Sequence, residues 1–204
     1  MDIRAADRAD TTRMGELLAA AFAASPTFQW IFPDAVRRPA LMRAFFTGTI
    51  RHAHPPGRGT LVAEQGGRII GVAAWVPPGR WKPPWWRGIL IMPGILRAGD
   101  RRSLQTFGER GPGVDEALTT VHPTEPHWYL AALATDPTAQ GAGAGSALIR
   151  AGLLRADDQR IPTYLECEEH LIGYYESFGF GVVHECPMPD SAPRQWGMRR
   201  APDA

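Results

Sequence analysis

The stretch "ATDPTAQGAGAGSALIR", residues 134–150, constrains the fold more than any other part of the chain. Gly141, Gly143 and Gly145 stand at alternate positions between the apolar run "HWYLAALAT" and the segment "SALIRAGLLRADDQR". The first run reads as a strand and the second as a helix by its three-to-four apolar spacing. Each glycine inside a helix costs about 1 kcal/mol relative to alanine. Three of them at a helix start are explained by a ligand that must approach the backbone closely. Unpaired N–H groups and the positive end of the helix dipole converge there, so the ligand group is an anion. The spacing excludes the two common nucleotide loops. A dinucleotide fingerprint needs G-x-G-x-x-G, and a triphosphate loop needs a lysine after its last glycine; this loop has neither.

The rest of the chain arranges itself around that unit. "DIRAA" predicts an opening strand, and Asp10 is placed to cap a helix whose apolar positions are Met14, Leu17, Leu18, Ala21 and Phe22. A second helical pattern covers residues 37–54. "TLVAE" and "RIIGVAAWV" flank "QGG" as a hairpin. Residues 101–121 read as a further helix, followed by the strand 127–135 and the glycine-led helix. "TYLECE" then reads as a strand, "HLIGYYESF" as a short helix ended by Gly179, and "GFGVVHEC" and "RQWGMRR" as a closing pair of strands. This order predicts one α/β (α+β) domain over residues 1–204, with a mixed, mostly antiparallel central sheet flanked by helices.

A length of 204 residues with 44% apolar side chains suffices for one substantial core. A formal charge of +1 with interspersed signs gives no basic face for nucleic acid. "ILIMPGIL" is the most apolar run, far below the ~20 residues of a membrane span. The opening "MDIRAADRAD" lacks the apolar region of a signal peptide. Cys167 and Cys186 have neither disulfide-framework nor zinc spacing. The expectation is a cytoplasmic protein with no membrane and no nucleic-acid partner. His52 and His54 lie on different sides of a helix end with no third ligand in view, so no metal is expected.

Gln140-x-x-Gly143-x-Gly145 after a strand ending "TDP" resembles the acetyl-CoA pyrophosphate loop of the GNAT (Gcn5-related) N-acetyltransferases. "PTYLECEEHLIGYYESFGFGVV" is similar to that family's next strand and helix, including a tyrosine before a glycine–aromatic end, here Tyr175 and Gly179-Phe180. The two motifs cover residues 127–183. Within the family, the C-terminal half most resembles puromycin N-acetyltransferase-like actinobacterial members. The resemblance implies acetyl transfer from acetyl-CoA directly to an amine, with no metal and no covalent enzyme intermediate. It implies coenzyme contacts from Leu133, Ala134 and Thr135 along the strand, where a bulge near Leu133 splays it from its neighbour. Gln140, Gly141, Ala142, Gly143, Ala144, Gly145 and Ser146 would form the loop contacts.

Tyr175 aligns with the family's general acid. A phenol with an ordinary pKa of about 10 keeps its proton at neutral pH and can donate it to a departing thiolate. Neighbouring Tyr174 points about 100° away on the same helix, so only one of the two can serve. Glu166, on one face of "TYLECE" with Tyr164 and Glu168, is the candidate general base; His122 and His127 lie close in sequence as alternatives. Glu168 stands where many family members carry an asparagine. For the acceptor, taken to be the primary amine of a small molecule, two aromatic stretches stand out: "SPTFQWIFPD" and the Trp/Pro-rich part of an inserted segment, 77–122. Trp30, Phe32, Trp85 and Trp86, with Trp81 beside them, are the candidate acceptor wall. The same tryptophans would alternatively cover the sheet or form a homodimer patch. A protein or peptide acceptor, and a coenzyme-binding module without catalysis, remain competing readings.

Overall fold

Strand β3 (Arg68–Val76) is buried over almost its whole length and carries side chains into two separate cores. Val72 and Ala74 join one cluster, Ala73 and Trp75 the other, as the two-residue period of a strand requires. The computed structural model describes residues 1–57, 59–139 and 141–203 of the chain. Gln140, expected in the coenzyme loop, lies outside the described residues.

Among these residues β1 (Asp2–Ala5), β2 (Leu61–Gln65), β3, β4 (Trp128–Thr135), β5 (Thr163–Cys167), β6 (Gly181–Glu185) and β7 (Trp196–Arg200) form one sheet in the order β1-β2-β3-β4-β5-β7-β6. Only the central β4·β5 pair is parallel; the others are antiparallel. The β2–β3 hairpin turns on Gly66 and Gly67, both with positive φ (59° and 74°), which a two-residue hairpin turn demands.

One face of the sheet is covered by α1 (Thr11–Ala21), α2 (Pro26–Ile31), α3 (Arg38–Gly48), α5 (Met92–Ala98) and α6 (Arg101–Val121). A short α4 (Trp85–Ile89) precedes α5. α7 (Ala144–Asp158) and α8 (Ile172–Glu176) pack with the second core. Gly152 lets α7 lie directly on the Trp75 indole, since a Cβ there would collide with the ring. Asp10 occupies the N-cap position of α1, yet its carboxylate is drawn elsewhere. It accepts from Arg4 (2.7 and 3.0 Å) and from the Asp7 N–H (2.9 Å), pinning the helix start to β1.

Candidate active site

β4 and β5 are paired only at Trp128↔Thr163 and Tyr129↔Tyr164, and then they part. The cause is visible in the β3·β4 register. Ala74 opposes Ala132, but Trp75 opposes Leu130, so Ala131 is an extra residue. The bulge therefore sits at Ala131, two positions before the expected Leu133. An extra residue bends its strand and increases the local twist, which opens β4 away from β5. Asp136 N–H donates to the Ile70 carbonyl on β3 (2.8 Å). By alternation the backbone groups of Leu133 and Thr135 point into the gap, whereas those of Ala134 are committed to β3.

Gly143 is the N-cap of α7 and adopts a left-handed φ of 76°; Gly141 has φ 84°. No atom lies within 4 Å of a Cβ built at either position, so the loop is open on that side. Gly145 is different. Its missing Cβ leaves room for the Tyr174 hydroxyl, which would stand 2.9 Å from it. The loop base is held by Asp136, whose carboxylate accepts from the Thr138 hydroxyl (2.7 Å) and N–H (2.9 Å), Arg13 (2.7 Å) and Arg68 (2.6 Å). The Thr138 bonds first, then the two guanidiniums, hold this carboxyl well below the ordinary carboxylate range. Nothing in the spacing of Arg13 and Arg68 announced that role.

The gap between β4 and β5 leads into a cavity of about 1060 Å³. Leu133 from β4, Glu166 and Cys167 from β5, and Tyr175 from α8 line one end. Phe22, Phe28, Phe32, Phe45, Phe46 and Phe107, together with Met92, Leu96, Leu104 and Leu118, line the other. These rings pack on each other: Phe28 lies 4.9 Å from Phe46, and Phe32 stacks on Phe107 at 5.3 Å and 9°. Tyr175 is 8% exposed, and burial, then the nearby Cys167 and Tyr174, raises its pKa well above the ordinary phenol value. It is a neutral donor across the working pH range. Tyr174 faces the glycine loop instead.

Glu166 sits in a buried polar cluster. Its Oε1 is 3.3 Å from His122 Nδ1; His122 Nε2 is 2.9 Å from His127 Nε2; His127 Nδ1 meets the Glu125 carbonyl at 2.7 Å. Tyr129 and Tyr164 are held neutral beside it, their pKa raised first by burial and then by the Glu166 charge. Trp81 stacks on the His122 ring at 3.7 Å. Glu168, in the place of the family asparagine, accepts from the Ser25 hydroxyl (2.6 Å) and the Thr27 N–H (3.2 Å). It thereby ties the start of α2 to the end of β5.

The sequence-derived acceptor residues are dispersed. Phe32 is a cavity wall. Trp30 is outside the lining, its ring 4.8 Å from the Arg110 guanidinium and its indole N–H donating to Ser191 Oγ (3.4 Å). Trp85 (80% exposed) and Trp86 (47%) project from α4, outside the cavity lining. The inserted segment reaches the cavity through α5 and α6 instead. The phenylalanines of α3 and of the first turn after α1 escaped notice because, in sequence, each is an ordinary core residue at helical spacing.

A bulged β4 parting from β5, with a left-handed glycine at the helix that follows, is the arrangement that the acetyltransferase resemblance implied. The chain belongs to the acetyltransferase (GNAT) family, whose model matches residues 20–180. Its single-domain fold, a mixed and mostly antiparallel sheet flanked by helices, is that of the family. Membership implies acyl transfer from acetyl-CoA. Among solved structures, the chain is similar to a protein described as histone acetyltransferase HPA2 and related acetyltransferase from Corynebacterium glutamicum. Identity is 29%, with 99% of this chain and 96% of that one covered and a TM-score of 0.71. The Escherichia coli ribosomal-protein-S18-alanine N-acetyltransferase shares the fold at 15% identity, with 100% and 95% covered and a TM-score of 0.57. So does a Drosophila melanogaster polyamine N-acetyltransferase at 15%, with 98% and 99% covered and a TM-score of 0.54. Among the described residues no helix is long and apolar enough to cross a membrane.

Proposed function

We propose that this protein transfers the acetyl group of acetyl-CoA to the primary amine of a small, largely apolar molecule. The observation that carries the acceptor class is the cavity: about 1060 Å³, walled by six phenylalanines, and continuous with Tyr175 and Glu166. A pocket of that size and lining suits a drug-sized ligand whose apolar body is buried and whose few polar groups are read individually. The sequence resemblance of the C-terminal half to puromycin N-acetyltransferase-like members accords with an acceptor that pairs an apolar body with its amine. A fold shared with such an enzyme does not name the acceptor, which the cavity walls select.

In this reading the backbone of residues 141–146 receives the coenzyme pyrophosphate at the N-terminus of α7. Leu133 and Thr135 offer their free backbone groups to the pantetheine arm, and the bulged strand polarises the thioester carbonyl. The amine lone pair attacks the carbonyl carbon; the C–N bond forms and the C–S bond breaks. Glu166 accepts the amine proton, and Tyr175 donates its proton to the thiolate. Exchange with solvent then returns both groups to their starting states. Phe32 and Phe107 hold the acceptor body, and the contact of Trp30 with Arg110 ties the end of α2 beside Phe32 to α6; Trp85 and Trp86 stand too far outside to touch it. A thiol-release assay over a panel of amines tests this. Turnover of arylalkyl or aminonucleoside amines is expected. Turnover confined to peptides, with none of the small amines accepted, would refute the acceptor class.

A further inference from the structure

The polar cluster behind Glu166 has more hydrogen-bonding nitrogens than a lone general base needs. Both histidines are buried, the His122 side chain being 1% exposed and that of Glu166 6%. The bond pattern fixes their tautomers. A carbonyl only accepts, so His127 Nδ1 must carry a proton toward Glu125. A neutral His127 then offers a bare Nε2, which takes the Nε2–H of His122 at 2.9 Å. That leaves His122 Nδ1 bare and facing Glu166 Oε1 at 3.3 Å, the longest of the three contacts. Three contacts need three protons, and two neutral imidazoles bring two. The network is one proton short while Glu166 is ionised, and it is completed when a proton arrives between Glu166 and His122.

We propose that His122 and His127 make Glu166 part of one composite proton acceptor, with His122 a positioning residue that shares the proton Glu166 takes from the amine. Of these three residues only Glu166 lines the cavity. His122 lies behind it, sandwiched against Trp81 and edge-on to Tyr129 and Tyr164. The groups surrounding the pair are otherwise neutral: the two phenols, and His184, which meets the Tyr164 hydroxyl at 3.0 Å. Burial, the largest influence, holds both His127 and His184 toward their neutral forms. No fixed cation competes for the carboxylate among these neighbours, so a proton gained by Glu166 is stabilised by His122 and passes no further charge to solvent. Sharing a proton across a preorganised hydrogen bond stabilises the charge that develops as the amine attacks.

The inference rests on Glu166 being the base of the proposed acetyl transfer, and the test separates the two. ¹⁵N NMR of histidine-labelled protein reads the tautomers without turnover. In the resting enzyme His127 is expected as the Nδ1–H form and His122 as the Nε2–H form. A resting His122 carrying a proton on Nδ1, alone or with one on Nε2, or a His127 protonated on Nε2 alone, overturns the proposal. In kinetics, His122→Phe preserves the stack on Trp81. It should lower kcat on the order of 10- to 100-fold, a share of the 10²–10⁴ a positioned base contributes, with both KM values unmoved. In a Glu166→Gln background the same change should cost nothing further, because the residues act as one unit. An equal loss in both backgrounds marks a purely structural histidine and overturns the proposal. A wild-type kcat in Glu166→Gln overturns it while leaving acetyl transfer intact. Absence of thiol release by the wild type with every amine overturns the acetyltransferase reading and this inference together.

Discussion

Replacing Tyr175 by phenylalanine removes one oxygen from the centre of the site. The ring makes its contacts in the second core, edge-on to Phe180 at 6.1 Å and to Tyr174 at 5.3 Å, and phenylalanine keeps both. The hydroxyl opens on the cavity, and the influences on its pKa are burial and neighbouring charge, with no hydrogen bond among them. Its removal therefore strands no protein donor or acceptor, and the change in stability should stay within about 1 kcal/mol. For a chain of this size that is a shift in Tm of roughly 2–4 °C. The rate should respond differently. Acid catalysis by a positioned group contributes 10²–10⁴-fold, equivalent to about 2.7–5.4 kcal/mol of barrier at 1.36 kcal/mol per factor of ten. Thiol-release kinetics on Tyr175→Phe should show kcat falling on that scale, with the KM values for acetyl-CoA and the amine nearly unchanged. Tyr174→Phe, facing Gly145 rather than the cavity, is the control and should retain kcat. If Tyr174→Phe is the crippled variant, the donor is the other tyrosine. If both keep wild-type kcat with chemistry shown to be rate-limiting, no phenol here protonates the thiolate.

Gly143→Val puts a branched side chain at φ 76° in space no protein atom fills, so calorimetry should show acetyl-CoA binding lost while circular dichroism persists; undiminished affinity would refute the loop assignment. Phe107→Ala, which opens the cavity wall, should raise the acceptor KM without changing coenzyme affinity, whereas Trp85→Ala should leave both level. The reverse pattern would move the acceptor to α4. The depressed Asp136 carboxyl supplies stability that is fully present above the ordinary carboxylate pKa of about 3.9 and is lost as pH falls below it. Urea unfolding from pH 6 downward should therefore show a steeper acid loss in the wild type than in Asp136→Asn, which starts less stable; parallel curves would refute it.

The sequence by itself determined what depends on chain-local chemistry. The short, nearly unbroken apolar runs of β3 and β4, the three-to-four spacing of α1 and α6, and the Gly66-Gly67 turn are visible because strand, helix and turn preferences act over a few residues. The left-handed glycine turn leading into α7 was legible for the same reason: its glycines and the helix start are contiguous. What joins distant segments was decided only in three dimensions. The bulge at Ala131 is a mismatch between two strands and has no mark in either one. Glu168 reaches Ser25 and Thr27, and Asp136 collects Arg13 and Arg68, across separations that no spacing rule spans. His122 and His127 were visible near Glu166 as rival bases. Only the folded geometry, which sets ring nitrogen against ring nitrogen at 2.9 Å, makes them neighbours in one network. The cavity lining followed the same rule. Tryptophans attract notice by composition, but side-chain burial is settled by which helix packs on which. Phenylalanines from α2, α3 and α6 and from the turn after α1 therefore enclose the cavity, and Trp85 is left in solvent.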